Sequence, residues 1–369
     1  MTPFLSATFG SVMSTIGYIF IAIGALMFMV IVHELGHYLA GKLFKFKILE
    51  FAIGFGPPIF KRKSKKTGEV FSIRPFPLGG FCQFESQDED SASPTAFNNQ
   101  APWKRLIVLF SGAFFNFLSA LIIITMIFTF YGQLLPQIDT IYEESSIAEE
   151  GLLQEGDVIM KVNNRQVNIL MVDDLQNAMS RIEDEGTFTV LRDKEIIEIP
   201  VSKSQILIRD VDGNIVEDEF GEPETRYAFG FTSMITPVKL NFFRAFSRSF
   251  SYGFYVVYKI LWLLGQLITG GLKFSESAGG PITIITVMSD ATRAGFGSLA
   301  YVISLLSANL AVMNLLPLPA LDGSRMVFTT IEWIRGKPIS RKIEGFIHFA
   351  GIIILFAFAI FADVLQLFT

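Results

Sequence analysis

Cysteine is nearly absent: Cys82 is the only one in 369 residues, which excludes an intramolecular disulfide and any multi-cysteine metal knot. Histidine is almost as scarce, at three, so an imidazole-based site could be built in few ways. Charged residues make up only 18%, against 51% hydrophobic residues and 38 Phe, and mean hydropathy is +0.46. These figures exclude an ordinary soluble protein and indicate a polytopic membrane protein with a polar insert. No Lys or Arg precedes Lys42, and no cleavage-site pattern follows the first apolar run. That run is therefore expected to be a retained transmembrane helix rather than a signal peptide. The length allows two domain-sized units.

Charge is segregated along the chain beneath a net −5. Residues 137–230 hold 22 Asp/Glu against 8 Lys/Arg, whereas 42–66 holds eight Lys/Arg and one acid, Glu50. That split argues against a nucleic-acid partner and for membrane sidedness. A bilayer core needs ~20 mostly apolar helical residues, which places spans at about 16–40, 105–131, 298–316 and 345–367. Residues 44–84 contain Gly54, Gly56, Pro57, Pro58, Pro75, Pro77, Gly79 and Gly80, a pattern of strands and turns. Residues 85–101 read as a polar loop. Residues 137–232 read as a folded soluble domain with short strands and one helix near 172–182, and 207–226 as a loop inserted in it.

Basic loops at 42–66 and 335–342 belong in the cytoplasm by the positive-inside rule. The acidic domain then lies outside the cell. Residues 242–290 are apolar but carry Arg244, Arg248, Lys259, Gln266 and Lys273, and are expected to lie along or dip into the outer leaflet. A full crossing there would put Asp322 on the opposite side from His33. The chain thus divides into a membrane part at 1–136, the external domain at 137–232 and a second membrane part at 233–369.

His33-Glu34-Leu35-Gly36-His37 matches H-E-x-x-H. On a helix the two imidazoles project from one face and can grip one metal. Glu34 lies ~100° round from His33, which suits a base reaching water rather than a ligand. Catalytic zinc takes three protein ligands and keeps one open position. Two solvated histidines on a surface helix are the bland alternative, but three ionisable residues in an apolar helix are costly and point to function. His348 reads as a helix-end residue at the interface. Asp322, after Pro317 and Pro319, could cap the next helix; sharing a side with His33, it is the better candidate for the third ligand.

Further motifs follow in order. They include Glu50-Phe51-Ala52-Ile53-Gly54-Phe55-Gly56-Pro57, Arg74-Pro75-Phe76-Pro77-Leu78-Gly79-Gly80-Phe81, Ala96-Phe97-Asn98-Asn99 before Trp103-Lys104-Arg105, Ser111-Gly112-Ala113-Phe114-Phe115-Asn116, and Asn314 through Asp322. With H-E-L-G-H they resemble the site-2 protease family of intramembrane zinc metalloproteases, in its bacterial class with a PDZ domain. Gly151-x4-Gly156-Asp157 followed by alternating Val158, Met160 and Val162 is similar to the PDZ signature, and one copy is present.

The resemblance implies a polytopic α-helical membrane protein of about four spans, with a membrane-reentrant β segment at 44–84 and an inserted α+β PDZ domain. It implies Zn2+ held by His33, His37 and Asp322, with Glu34 as catalytic base. Asn116, Asn314, Gly79 and Gly80 would meet the substrate, although either Asn could instead bond helix to helix. Ala113 stands where the family usually has Pro, and Phe81 where Tyr is common. Partners implied are the lipid bilayer and transmembrane substrates already trimmed by another protease, such as anti-sigma factors or signal-peptide remnants, in regulated intramembrane proteolysis. The location implied is the bacterial inner membrane, active site toward the cytoplasm and PDZ domain outside, as size filter or peptide binder. Two other classes stay open. A catalytically silent scaffold need not keep the whole metal set, and a transporter would need inverted repeats of broken helices, of which there is no sign.

Overall fold

The computed structural model describes residues 9–86, 93–171, 173–209, 214–272 and 279–366. Parts of five expectations therefore lie outside the described residues: 87–92 of the polar loop, 172 of the helix near 172–182, 210–213 of the insertion, 273–278, with Lys273, of the interfacial stretch, and 367 of the last span. The chain divides into one unit of residues 1–124 and 256–369, and another of 125–255.

The first unit begins with α1, Phe9–Leu43. Its 35 residues, with neither Pro nor charge before Glu34, favour an uninterrupted helix longer than the ~30 Å hydrocarbon core. A four-stranded sheet follows, with β1 Ile48–Phe55, β2 Phe60–Lys63, β3 Val70–Ile73 and β4 Phe76–Phe84. The order is β2-β3-β1-β4. β1 runs parallel to β3 and antiparallel to β4, with Ile53 opposite Gly80. The β1–β4 register shifts between Ile53 and Phe55, where Gly54 has φ +88 and a Cβ would stand 2.7 Å from the Arg74 carbonyl; only glycine suits that bend. Arg74 ties the sheet together, donating to Glu50 at 2.7 Å and to the Gly56 carbonyl at 2.7 Å.

Phe46, Ile48, Phe84, Phe97, Val108 and Leu109 form one buried cluster, which packs the sheet on α2, Pro102–Phe130. Beyond α5, Phe242–Thr269, four more helices of this unit follow among the described residues: α6 Pro281–Ala294, α7 Phe296–Leu315, α8 Asp322–Arg335 and α9 Arg341–Gln366. Ala22, Met29, Met288 and Leu299 join α1, α6 and α7 in a second cluster. Pro317 and Pro319 end α7, since proline lacks the N–H that a helix needs. The N-terminus of α6 is capped from α9: Asp363 accepts from the Ile282 and Thr283 amides, each at 3.0 Å.

The second unit holds β5 Gln133–Ile141, α3 Ser146–Glu150, β6 Val158–Val162, β7 Arg165–Gln166, α4 Asp174–Met179, β8 Glu185–Arg192, β9 Glu195–Ser202, β10 Ser204–Leu207, β11 Thr225–Ala228 and β12 Phe231–Val238. The main sheet runs β12-β5-β6-β8-β9, with β7 on β6, and β10 pairs with β11 apart from it. Ile138, Ile159, Val162, Phe188, Val190 and Ile199 make its core. The Gly156-Asp157 turn is fixed by a buried carboxylate: Asp157 accepts from the Gln154 amide at 2.9 Å and pairs with Arg192 at 2.6 Å.

Among the described residues five helices are long and apolar enough to cross a membrane, one more than the four expected. The additional one is α5, Phe242–Thr269. Its cations broke the apolar pattern in sequence, but Arg248 is spent inside the second unit. It donates to the Gln133 side chain at 2.5 Å and to the Val167 carbonyl at 2.8 Å, and Lys259 is buried over Trp262.

Phe188 is fully buried among Phe229 and Phe231. Phe188→Ala should destabilise the second unit by roughly 3–5 kcal/mol, read as faster amide hydrogen exchange in β6 and β8; unchanged exchange would contradict this core assignment.

Candidate metal centre

Two close helix approaches build the centre. Gly36 of α1 lies against α2, where an added Cβ would stand 2.3 Å from the Ser111 carbonyl oxygen. Small residues allow such contact between membrane helices. The same crossing brings Gly112 to the histidines: a Cβ there would stand 2.4 Å from His37 Nε2 and 2.7 Å from His33 Cε1. Asp322 arrives from the other direction, as the first residue of α8 after the proline-broken turn.

His33, His37 and Asp322 are thereby brought together. Asp322 Oδ2 is 3.0 Å from His33 Nε2 and 3.2 Å from His37 Nε2, and the two nitrogens are 3.1 Å apart. A tetrahedral metal with bonds of ~2.0–2.1 Å would set its ligand atoms about 3.3 Å apart, so the triangle fits one ion. The outer ring nitrogens fit as well. His37 Nδ1 donates to the Val108 carbonyl at 2.7 Å, which leaves the Nε2 lone pair for a metal. His33 Nδ1 lies 3.3 Å from the Asn116 amide nitrogen, while Asn116 Oδ1 is buried without a hydrogen-bond partner. The two amide atoms are interchangeable by a half-turn. In that orientation Oδ1 accepts the His33 Nδ1 proton, and both imidazoles present Nε2.

Burial alone would raise the Asp322 carboxyl, but the adjoining His37 and His33 hold it well below its ordinary value, so it remains an anionic donor. Cys82 lines the same cavity; burial and the neighbouring Glu34 push its thiol up, which keeps it from competing as a thiolate ligand. Two imidazoles and one carboxylate form a donor set suited to catalytic zinc.

The cavity has a volume of about 570 Å³. Glu34, Asn314, Asp322 and both histidines line it, together with Arg325 and residues 81–84 of β4. Asn116 does not line the cavity: it is fully buried against His33. Gly80 sits beside Glu34, a Cβ there falling 3.6 Å from its Cγ, whereas Gly79 faces the Phe55 ring. His348 stands apart from the cluster. Its Nδ1 accepts from the Ala320 amide at 3.2 Å, which holds the turn leading to Asp322.

One supporting element escaped the sequence reading. Glu332 of α8 is buried between Arg105 of α2 at 2.7 Å and Arg341 at 2.9 Å. Burial alone would raise the Glu332 carboxyl, but the Arg105 hydrogen bond, the Ile339 amide and Arg341 bring it below its usual range. In sequence Arg341 reads as loop charge and Arg105 as the start of the second span, and nothing in the spacing of residues 105, 332 and 341 signals their meeting.

The family model described as "Peptidase family M50" matches residues 21–358. A "Putative zinc metalloprotease" of Fusobacterium nucleatum is 30% identical over 352 residues, covering 93% of this chain and 96% of the relative. Proteins of the same description from Clostridium acetobutylicum and Nostoc are each 30% identical. They cover 91% and 92% of this chain, and each match takes in 93% of the relative.

Gly112→Ala places a methyl group 2.4 Å from His37 Nε2, one of the three atoms that would hold the metal. It should lower retained metal at least about tenfold, measured by elemental analysis after dialysis. Gly345→Ala, whose added Cβ meets nothing within 4 Å, should retain it. Full retention in Gly112→Ala would contradict the geometry.

Proposed function

The chain belongs to peptidase family M50 and is a multi-pass membrane zinc metallopeptidase; on that premise we propose that it cleaves transmembrane segments of single-span membrane proteins at His33, Glu34, His37 and Asp322. The observation that carries this reading is the convergence of two imidazoles and one carboxylate within a cavity that also holds Glu34.

His33, His37 and Asp322 are the metal ligands in this reading, and zinc held by them supplies Lewis-acid activation of water and of the scissile carbonyl. Glu34 accepts the proton of the attacking water and returns it to the leaving amine nitrogen as the C–N bond breaks. Asn116 acts on His33, orienting the imidazole. Asn314, open to the cavity, is the amide that meets the substrate backbone or the developing oxyanion.

A transmembrane helix hides its backbone and must unwind to be cut. β4 has no partner on its outer side among the described residues, and its residues 81–84 line the cavity. An extended substrate can therefore add to that edge by main-chain hydrogen bonds, which require little side-chain specificity. Gly80 keeps the strand close to Glu34.

The second unit is read as an extracytoplasmic PDZ domain, on the Gly156-Asp157 turn and the six-stranded sheet with two short helices. It acts as a size filter that admits substrates already trimmed by another protease, such as anti-sigma factors or signal-peptide remnants in regulated intramembrane proteolysis. Helix direction supports the inner-membrane topology. α1 and α7 pack side by side, and Val30 and His33 of α1 line the same cavity as Leu310 and Asn314 of α7. With α2 crossing back, α7 is the next odd crossing. α6, at 14 residues, rises only about 21 Å and cannot supply another. α5 is accordingly read as lying along the outer interface, despite its sufficient length, and the metal centre as facing the cytoplasm.

Glu34→Gln should keep zinc at the wild-type ratio and lose cleavage of a purified single-span substrate by at least about a thousandfold, within the range removed with a general base. Zinc-dependent cleavage at the wild-type rate by this variant would refute the assignment.

A further inference from the structure

A second cavity, of about 820 Å³, opens between the last turns of α1 and the β1–β3 part of the sheet. Its floor is apolar, formed by Leu35, Ile48, Phe51 and Phe71 with the Tyr38 ring. Phe51 and Phe71 are stacked within 10° of parallel, giving a flat wall. Its rim is cationic: Arg62, Lys63, Lys65 and Lys66 line it from β2 and the following turn, and all four are exposed.

The nearby acids are already committed. Glu69, the only acid in the lining, pairs with Lys42, and Glu50 pairs with Arg74 at 2.7 Å. The four rim cations make no ion pair among the described residues. The apolar floor also continues onto the open sheet, since Phe60 opposes Ile73 and Arg62 opposes Phe71 in the β2–β3 register. Phe60, Phe71 and Ile73 remain 49%, 37% and 41% exposed. Unpaired cations thus meet exposed hydrocarbon next to the end of a membrane-spanning helix.

A ligand complementary to this groove needs an anionic head and an apolar body. An added peptide strand fits poorly, because the β2 edge reads Phe60-Lys61-Arg62-Lys63, and a row of cations is how sheet edges resist pairing. A peptide would also lay unsatisfied backbone groups on an apolar floor. We infer that the groove binds an anionic glycerophospholipid from the surrounding bilayer, its phosphate among Arg62, Lys63, Lys65 and Lys66 and an acyl chain over Phe51 and Phe71. β2 and β4 are opposite edges of one sheet, so a lipid held at β2 fixes to the membrane surface the sheet whose other edge lines the metal-binding cavity.

Native mass spectrometry of the full-length protein, titrated with phosphatidylglycerol or phosphatidylcholine, tests the inference. Phosphatidylglycerol should bind at least about tenfold more tightly, given roughly fivefold per interfacial cation. Lys65→Gln/Lys66→Gln, in an exposed turn, should lose at least about tenfold of that affinity while keeping wild-type zinc content. Lys337→Gln/Lys342→Gln, which removes two cations elsewhere, should lose none, and Phe71→Ala should weaken both lipids. Equal affinity for the two lipids would overturn the inference, as would an unchanged Lys65/Lys66 variant, an equal loss in the Lys337/Lys342 control, or displacement by inorganic phosphate or an acidic peptide at equal concentration.

Discussion

Bringing a carboxylate from one end of the chain to two imidazoles at the other is the constraint on which the membrane part depends. Asp322 lies 289 positions from His33 and yet 3.0 Å away in space. Two buried imidazoles and a carboxylate converge on the place of a single cation, which gives each donor its natural partner. The helix packing serves this meeting. Gly36 and Gly112 remove the side chains that would hold α1 and α2 apart, and Val108 and Asn116 turn both rings toward the same point. Pro317 and Pro319 end α7 where Asp322 is needed, and Glu332 ties α8 to α2 through Arg105. Removing one member of that buried ion network would leave an uncompensated charge, a large cost.

The same economy explains how a protease can work in a lipid setting. Water must reach the metal and a substrate backbone must be exposed, and neither is compatible with bare hydrocarbon. The cavity supplies the first through its polar lining of Glu34, Asn314 and Arg325. In the proposed reaction the sheet supplies the second, because an edge strand beside Glu34 can hold an unwound segment by hydrogen bonds that lipid would deny it. The groove behind that sheet adds the surface contact that keeps it level with the membrane interface.

Much of the centre was legible in sequence because the local rules there are strict. Two histidines four residues apart share a helix face, and scarce histidine left few other donors. Pro317 and Pro319 announced a break just before Asp322. What stayed hidden depends on pairings between distant residues. The Arg105–Glu332–Arg341 network, the carbonyl of Val108 behind His37 and the packing of Gly112 on both rings have no periodic signal. Asn116 reads in sequence as an amide that meets the substrate or bonds helix to helix, and only the helix crossing sets it against His33 rather than in the cavity. In α5 the partners of Arg248 were likewise hidden: the side chain reads as a free cation in sequence and is bound by Gln133, Met160 and Val167. The four-span count differs from the five qualifying helices by α5.

Zinc-edge X-ray absorption on the purified full-length protein tests the central claim most directly. The account predicts nitrogen and oxygen donors at about 2.0–2.1 Å, with the multiple-scattering pattern of two imidazoles and no sulfur. In Asp322→Ala one oxygen donor should be replaced by solvent while both imidazoles remain. A sulfur donor near 2.3 Å, or an Asp322→Ala spectrum that loses an imidazole rather than an oxygen, would contradict the His33–His37–Asp322 centre.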